Sequence, residues 1–239
     1  MPVFRKQGKA ILFIHVPKTG GSAIERVFRD DGWSIDFLDG KVGAGTLNNL
    51  RRCTPQHMHA RPLRQTFVLR RFDEIFLIVR DPVARLRSEY VWRHRKQDRI
   101  DPRAAAVDAW TLRTFASYRR NNFLFDNHVR PQSDFVVPGA TIHHFENGLN
   151  SVISDLNKRL DLDLPTVPPH VRSGSEQGVS SSAVEILEKT ERRIRAFYRE
   201  DYQRFGYDEH GVPGGPIREP FASRLRRSVR ARASAWARR

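Results

Sequence analysis

The sequence Ile11-Leu-Phe-Ile-His-Val16, followed by Pro17-Lys-Thr-Gly-Gly-Ser22, decides the fold class. The first six residues are apolar at almost every position, which is typical of a strand buried on both faces of a parallel sheet. A proline ends this strand, and the two glycines allow a tight turn. We expect a helix over 23–29, with Ser22 as its N-cap and Glu25 completing a capping box. The stretch therefore predicts a strand, a phosphate-type loop and a helix in succession.

Strands and helices continue to alternate along the chain. A second apolar run, 75–79, ends at Arg80, and we expect a helix from Pro82 to about 97 because proline suits the first helical position. The other predicted elements are strands over 33–38 and 141–145 and helices over 104–119, 149–160 and 180–205. This alternation indicates an α/β fold with a central, mostly parallel sheet flanked by helices in three layers.

Length and charge bound the class of protein. The 239 residues carry 42 Lys and Arg against 27 Asp and Glu, a net charge of +15, which favours an anionic ligand. Nucleic acid is the less favoured anion because no recognition module is evident. The apolar runs are far shorter than the roughly 20 residues of a membrane-spanning helix, and no secretory signal is expected. The single cysteine, Cys53, cannot form an internal disulfide, which favours a reducing, cytoplasmic compartment.

The C-terminal segment has its own composition. Residues 218–239 hold eight Arg and one Glu, a contribution of +7, and follow the glycine- and proline-rich stretch 211–216. We therefore expect one domain over 1–212, then a linker and a basic tail over 213–239. Apolar residues recur in the tail every four positions, so a helix there would suit peripheral contact with the inner face of an anionic membrane. A solvated basic terminus is the alternative.

Both buried strands are followed by a cation. Lys18 comes after the first strand and Arg80 after the second, and ligands of open α/β sheets bind where the carboxyl ends of parallel strands meet. The glycines between Thr19 and Ser22 let backbone N–H groups approach a phosphate, and the two hydroxyls add donors. The lysine precedes the glycines, which is the reverse of the nucleoside-triphosphate loop G-x-x-x-x-G-K-[ST]. We therefore predict a polyanion that reacts without a metal ion.

Two stretches resemble the signatures of one enzyme family. The first, His15-Val-Pro-Lys-Thr-Gly-Gly-Ser22, is similar to the 5′-phosphosulfate loop of the sulfotransferases that use 3′-phosphoadenosine 5′-phosphosulfate (PAPS), in the carbohydrate and heparan-type, family 2-like branch. The second, Arg80-Asp-Pro-Val-Ala-Arg-Leu-Arg-Ser-Glu-Tyr90, resembles the 3′-phosphate motif of that family. The resemblance covers most of 10–207. Because no membrane anchor or disulfide is expected, the chain looks like a bacterial-type member.

The resemblance implies a P-loop-like fold and transfer of the sulfuryl group of PAPS to a hydroxyl, with adenosine 3′,5′-bisphosphate as product. It implies that the 5′-phosphosulfate is held by Lys18, Thr19, Gly20, Gly21 and Ser22. It implies that the 3′-phosphate is held by Arg80, Ser88 and, as a third anchor, Arg172. Lys18 would also stabilise the leaving oxygen, so that no metal is required. Arg85 lies three residues before Ser88 and could share its face of the helix; the interpretation that we favour for it is a structural ion pair, for example with Asp81.

An acceptor hydroxyl needs a base. The segment Thr54-Pro-Gln-His-Met-His-Ala60 places two histidines between the motifs, and the base of the family lies at about this point. His57 matches that position better, and His59 is the alternative; the pair could also be an ordinary polar loop. The expected acceptor is a carbohydrate or glycolipid hydroxyl. Two other functions stay open: a nucleoside-triphosphate-dependent kinase of related fold, and a non-catalytic nucleotide- or membrane-binding protein.

Overall fold

A computed structural model of the chain describes residues 1–41, 44–96, 100–167, 179–208 and 211–221. Within these ranges, six strands form a single sheet in the order β3-β1-β2-β4-β5-β6. The strands are β1 (Val3–Lys6), β2 (Lys9–Ile14), β3 (Ser34–Asp36), β4 (Glu74–Val79), β5 (Thr141–His144) and β6 (Ile217–Arg218). β2, β4 and β5 are parallel to one another, and the outer strands pair antiparallel.

Helices cover both faces of this sheet. They are α1 (Gly21–Asp30), α2 (Ala60–Thr66), α3 (Pro82–His94), α4 (Ala104–Arg120), α5 (Leu149–Leu160), α6 (Glu188–Phe197) and α7 (Arg199–Phe205). Alternate residues of the central strands feed two separate cores. Ile11 and Phe13 pack toward α1 and α5, whereas Leu12 and Ile14 pack toward α2 and α7. This three-layer arrangement confirms the predicted α/β class.

A third apolar cluster lies beside the sheet, among α3, α4 and α6. Tyr90, Trp110 and Ile194 are at its centre, and all three are buried. Helix α3 therefore packs in an apolar cluster of its own, apart from the two cores on the faces of the sheet. This packing fixes the position of α3, the helix that follows β4.

The capping box predicted for α1 is wrong. The helix begins at Gly21, after Gly20 has turned with a φ of 85°, and no side chain caps it. Glu25 is buried and bonds to His15 and Gln56 instead of reaching back to the helix start. The Glu25 carboxylate thus bonds to the buried imidazole of His15 and not, as the local sequence pattern predicts, to the main chain at the start of the helix.

The single helix predicted over 180–205 is also wrong, since residues 181–183 form a 3₁₀ turn and the helical part is split into α6 and α7. The Ser180 hydroxyl accepts a hydrogen bond from the Ser182 N–H, a local bond that competes with helix formation. The break between the helices is at Tyr198, which lies outside helical geometry at φ −102° and ψ 26°. Its buried hydroxyl donates to the Val129 carbonyl at 2.9 Å, which anchors the break to the protein interior.

Strands β1 and β6 are elements that the sequence analysis did not predict. β6 lies beyond residue 212, where we placed the end of the domain, and Glu219 exchanges main-chain hydrogen bonds with Gly139 and Ala140. Residues 222–239 of the basic tail, and Arg172, lie outside the described residues. Across the described ranges, no helix combines the length and the apolar character needed to cross a bilayer.

Candidate functional site

The two predicted cation-bearing loops meet at one edge of the sheet. β2 and β4 are parallel neighbours, so the chain leaves both strands at the same end, at Lys18 and at Arg80. The Arg80 Nη1 lies 3.4 Å from the Lys18 carbonyl oxygen, to which it donates. Both side chains are half-buried. The fold therefore joins the two motifs into one positively charged site.

Several contacts fix the position of Arg80. The buried amide of Gln132 accepts from the Arg80 N–H at 2.9 Å and donates to its carbonyl at 2.8 Å. The guanidinium lies over the Phe145 ring, 4.6 Å from its centroid. Burial lowers the pKa of Arg80, and the nearby carboxylates of Glu146 and Asp81 oppose that effect. The guanidinium stays charged, and its main chain and ring contacts hold it at the edge of the loop.

The loop after β2 is built from backbone. Lys18 and Gly20 both have left-handed φ angles, 70° and 85°, and α1 starts directly behind them without a side-chain cap. The first N–H groups of such a helix have no intrahelical partner, which suits them to bind a phosphate or sulfate oxygen. The Thr19 hydroxyl donates to the Val16 carbonyl at 2.9 Å and so braces the loop. Ser22, at the second position of the helix, is half-buried.

Lys18 lies against an aromatic ring. Its Nζ is 4.5 Å from the centroid of the Trp92 ring on α3. Burial lowers the pKa of Lys18 to about 8, and the charges of Arg80 and Arg95 add to this effect while that of Glu89 opposes it. An anion bound at the loop would restore the preference of this amine for the charged form.

Three imidazoles lie in a row beside the loop: His15 and His57 are buried and His128 is half-buried. The ring of His57 lies between those of His15 and His128, with centroid distances of 5.1 and 5.0 Å. Each imidazole has its own carboxylate at Nδ1: Glu25 at 2.5 Å for His15, Asp126 at 2.7 Å for His57 and Glu89 at 2.7 Å for His128. In the part of the chain that the structure describes, no group of three or more His, Cys, Asp or Glu side chains is arranged to hold a metal ion.

Burial and hydrogen bonding together set the charge state of the central pair of the row, His57 and Asp126. It lowers the pKa of His57 to about 3, although the hydrogen bond to Asp126 acts in the opposite direction. Burial raises the pKa of Asp126, but its contacts with His57 and Thr54 outweigh this and lower the value to about 2. Near neutral pH the pair is therefore a carboxylate and a neutral imidazole. The Nδ1–H donates to the carboxylate, which leaves the Nε2 lone pair free to accept a proton.

The residues that hold His57 lie on a strained turn. Phe125, Asp126 and Asn127 have φ angles of 53°, 58° and 66°, a region that residues other than glycine rarely adopt. The Asn127 amide donates to the His57 carbonyl at 2.8 Å, and Arg93 donates to the Phe125 carbonyl at 3.2 Å. Such strain persists only where surrounding contacts enforce it, and it is concentrated at functional sites. The turn fixes both the side chain and the main chain of His57.

Comparison with known proteins agrees with this geometry. A family model described as the sulfotransferase family matches residues 2–208, which include both cationic loops and the three imidazoles. The chain belongs to the sulfotransferase family. No curated protein and no solved structure matches it.

The structure separates the two candidate bases of this sulfotransferase. His59 lies at the start of α2, with its ring 5.6 Å from that of Phe123, and it is not part of the imidazole row. Burial lowers the pKa of His59 to about 4, with a further contribution from Arg130. Only His57, of the two, is paired with a carboxylate among the described contacts. His57 is thus the one of the two whose ring a carboxylate orients in the described part of the chain.

Ser88 and Arg172 are the other two residues predicted to hold the 3′-phosphate, and the structure describes only Ser88. Ser88 is half-buried on α3, directly before Glu89 of the imidazole row. Arg172 lies outside the described residues. Arg80 directly follows β4, and Ser88 lies near the middle of α3.

The ion pair predicted between Arg85 and Asp81 is wrong. The Arg85 guanidinium is buried and donates to three main-chain carbonyls, those of Pro17, His128 and Arg130. Asp81 instead caps α3 by accepting from the Ala84 N–H at 2.8 Å. Arg85 therefore bonds to carbonyls instead of the carboxylate. Through these bonds it joins the phosphate-type loop to the segment that carries His128.

Most of the residues that surround His57 were not predicted from the sequence. Asp126 and His128 lie in a segment for which no element was predicted, and Glu89 lies in a motif but had no predicted role. Asp126 is 69 residues from His57 along the chain, and His128 is 39 residues from Glu89, so no local spacing connects either pair. His15 was visible as the one polar residue of an apolar strand, which is a usable signal.

Gly21 provides a test of how tightly the loop is built. A Cβ at this position would lie 2.5 Å from the His15 Nε2, and the bond to Glu25 prevents that ring from moving aside. We expect Gly21→Ala to lower the free energy of unfolding by about 1–3 kcal/mol, measured by chemical denaturation. Gly214→Ala, where nothing lies within 4 Å, is the control and should change it by less than about 1 kcal/mol. Equal stability of the two variants would contradict this account.

Proposed function

We propose that this sulfotransferase transfers the sulfuryl group of PAPS to a hydroxyl of an acceptor, without a metal ion. The observation that carries the proposal is the direct contact between the Arg80 guanidinium and the Lys18 main chain. It brings two cationic loops together at the end of the sheet where α/β proteins bind nucleotides. A doubly phosphorylated adenosine needs positive charge at both of its phosphate positions.

The residues present suit PAPS. At the 5′ end, Lys18 and the N–H groups of Gly21 and Ser22 would hold the sulfate and phosphate, and the absence of a Cβ at Gly21 leaves room for the His15 ring behind the loop. At the 3′ end, Arg80 offers a planar fork for phosphate oxygens and Ser88 a hydroxyl. The nucleotide supplies the activated sulfuryl group. The charge on Lys18 would stabilise the oxygen that departs from sulfur.

His57 supplies the base. The acceptor oxygen forms its bond to sulfur as the bond from sulfur to the nucleotide breaks, and the hydroxyl proton passes to the His57 Nε2. The hydroxyl becomes strongly acidic only as its bond to sulfur forms, so an imidazole of low pKa can accept that proton. Asp126 holds the ring in the required tautomer and stabilises the imidazolium that results.

We take a carbohydrate or glycolipid as the first acceptor to examine. The net charge of +15 favours an anionic polymer or a substrate carried on an anionic membrane. A glycolipid would also agree with peripheral attachment through 218–239, whose sequence has the pattern of a basic amphipathic helix. This attachment would place the enzyme at the inner, cytoplasmic face of the membrane.

Nucleotide binding tests the donor site. We expect adenosine 3′,5′-bisphosphate to raise the melting temperature without Mg²⁺, and ATP to do so far less. Loss of one charged contact costs about 1.5–3 kcal/mol, so Lys18→Met and Arg80→Met should each weaken binding roughly 10- to 100-fold in calorimetry. Arg26→Met, at an exposed position of α1, is the control and should bind normally. Equal stabilisation by ATP, or a strict need for Mg²⁺, would favour the kinase alternative.

The pH dependence of that binding tests Lys18 separately. The pKa of Lys18 is about 8 in the free protein, so its charge is complete at lower pH and is lost as pH rises through that value. Affinity for adenosine 3′,5′-bisphosphate should therefore fall above pH 8, by up to about tenfold per pH unit. Lys18→Arg keeps its charge and should show a flatter profile from pH 7 to 10. A flat profile for the wild type would exclude Lys18 from the anion site.

Transfer assays separate the enzyme from a non-catalytic binding protein. With labelled PAPS and a panel of glycan and glycolipid acceptors, His57→Ala should lose at least about 100-fold in rate while it keeps its affinity for the nucleotide. His59→Ala should retain most of the activity. If both variants behave like the wild type, neither histidine is the base. If the wild type transfers to no acceptor but binds the nucleotide, the non-catalytic alternative gains support.

A further inference from the structure

An apolar groove opens beside the candidate site. It has a volume of about 530 Å³, and its apolar walls are formed by Val3, Phe37, Leu47, Pro55 and Phe67. None of these residues belongs to the loops that we assign to the nucleotide. The volume lies within the range of about 300–1,000 Å³ that is usual for pockets that bind small molecules.

The groove lies at the same edge of the sheet as the phosphate-type loop. β3 and β2 both pair antiparallel with β1, so β3 runs in the same direction as β2. The carboxyl end of β3, at Asp36, therefore lies on the side where β2 ends. Phe37 follows directly and forms a wall of the groove.

The apolar walls are exposed to an unusual degree. Phe37 is 41% exposed and Leu47 is 60% exposed, and Leu50 and Val68, each close in sequence to a wall residue, are exposed as well. Phe37 also has a left-handed φ of 58°, a strained conformation for a bulky residue. The Phe37 and Phe67 rings pack edge to face, with centroids 5.1 Å apart, so these two walls of the groove adjoin.

The polar residues of the groove are engaged with protein neighbours. Asp36 forms an ion pair with Arg5 at 2.7 Å, and Arg51 donates to the Asn48 side chain at 3.1 Å. The Asp39 carboxylate accepts from the Lys41 N–H at 3.2 Å. Three of the eight residues that line the groove are thus charged and have protein partners, and the other five are apolar.

The groove and the candidate base share one segment of chain. Pro55 and His57 belong to the same 3₁₀ turn, and two residues span at most about 7 Å. Phe67 follows the C-terminal end of α2, which starts three residues after His57. The groove is thus connected through this turn to the residue that would accept the proton.

We propose that this groove binds the apolar part of the acceptor, an alkyl chain or an aromatic ring carried next to the hydroxyl that is sulfated. This inference rests on the proposed function, because it assigns the groove to the acceptor of that reaction. It narrows the acceptor to a glycoside with an apolar substituent and excludes a free, fully polar sugar as the preferred one.

Binding of simple glucosides to the full chain tests the proposal. Octyl β-glucoside, below its micelle concentration, represents the chain, phenyl β-glucoside represents the ring, and methyl β-glucoside is the polar reference. We expect octyl or phenyl glucoside to bind at least tenfold more tightly than methyl glucoside in calorimetry, and the arm that binds identifies the apolar part. Leu47→Ser and Phe37→Ser should each remove at least fivefold of that advantage.

Controls keep this test distinct from that of the nucleotide site. Leu112→Ser, at a position 45% exposed on α4, should keep the full advantage, and all variants should bind adenosine 3′,5′-bisphosphate like the wild type. Equal binding of the three glucosides, or equal losses in Leu112→Ser and Leu47→Ser, would overturn the groove assignment and leave the donor site intact. Leu47-dependent glucoside binding in a protein that binds no nucleotide would overturn the assignment to an acceptor.

Discussion

The parallel pairing of β2 with β4 is the constraint on which the rest of the site depends. It brings the chain out of both strands at one edge, where the Arg80 guanidinium reaches the Lys18 carbonyl. Two cations so close to one another repel, and burial further disfavours their charge. An anion bound between them, as we propose, would relieve the repulsion and replace the water that the cations have lost.

Carboxylates inside the protein balance this charge. Glu89 connects the cationic loop with the imidazole row. It bonds to His128 and Arg93, and its charge opposes the lowering of the Lys18 pKa by burial. Burial raises the pKa of Glu89, but His128 and Arg93 outweigh that effect and lower it to about 2. The protein thus keeps its carboxylates ionised and the imidazole of His57 neutral in one small volume. This combination allows a neutral imidazole and two partly buried cations to lie side by side.

Hydrogen bonds from buried side chains to main-chain groups hold the parts of the site in place. Arg85 joins the loop at Pro17 to the segment at His128, and Gln132 fixes the main chain of Arg80. The strained turn at Asp126 connects the imidazole row to the groove, because its carboxylate bonds both His57 and Thr54, and Thr54 precedes the groove wall. The proposed donor site, the proposed base and the groove are consequently three regions of one connected framework.

The sequence by itself determined the elements whose signal is local. β2 and β4 were predicted from their apolar runs, α3 from the proline at its start and α5 from its pattern. Burial on both faces of a sheet and helix geometry each impose a pattern that is visible within a few residues. The order of the cations and glycines likewise indicated the phosphate-type loop and the family.

Only the tertiary structure decided which side chains meet. Glu25 and Arg85 were expected to bond within their own helices, yet their partners are His15, Gln56 and distant carbonyls. A buried polar group bonds to whatever donor or acceptor the fold brings near, because leaving it unpaired costs more than breaking a local preference. The carboxylate of His57 and the groove beside it depend on contacts between distant segments, and no short stretch of sequence contains them.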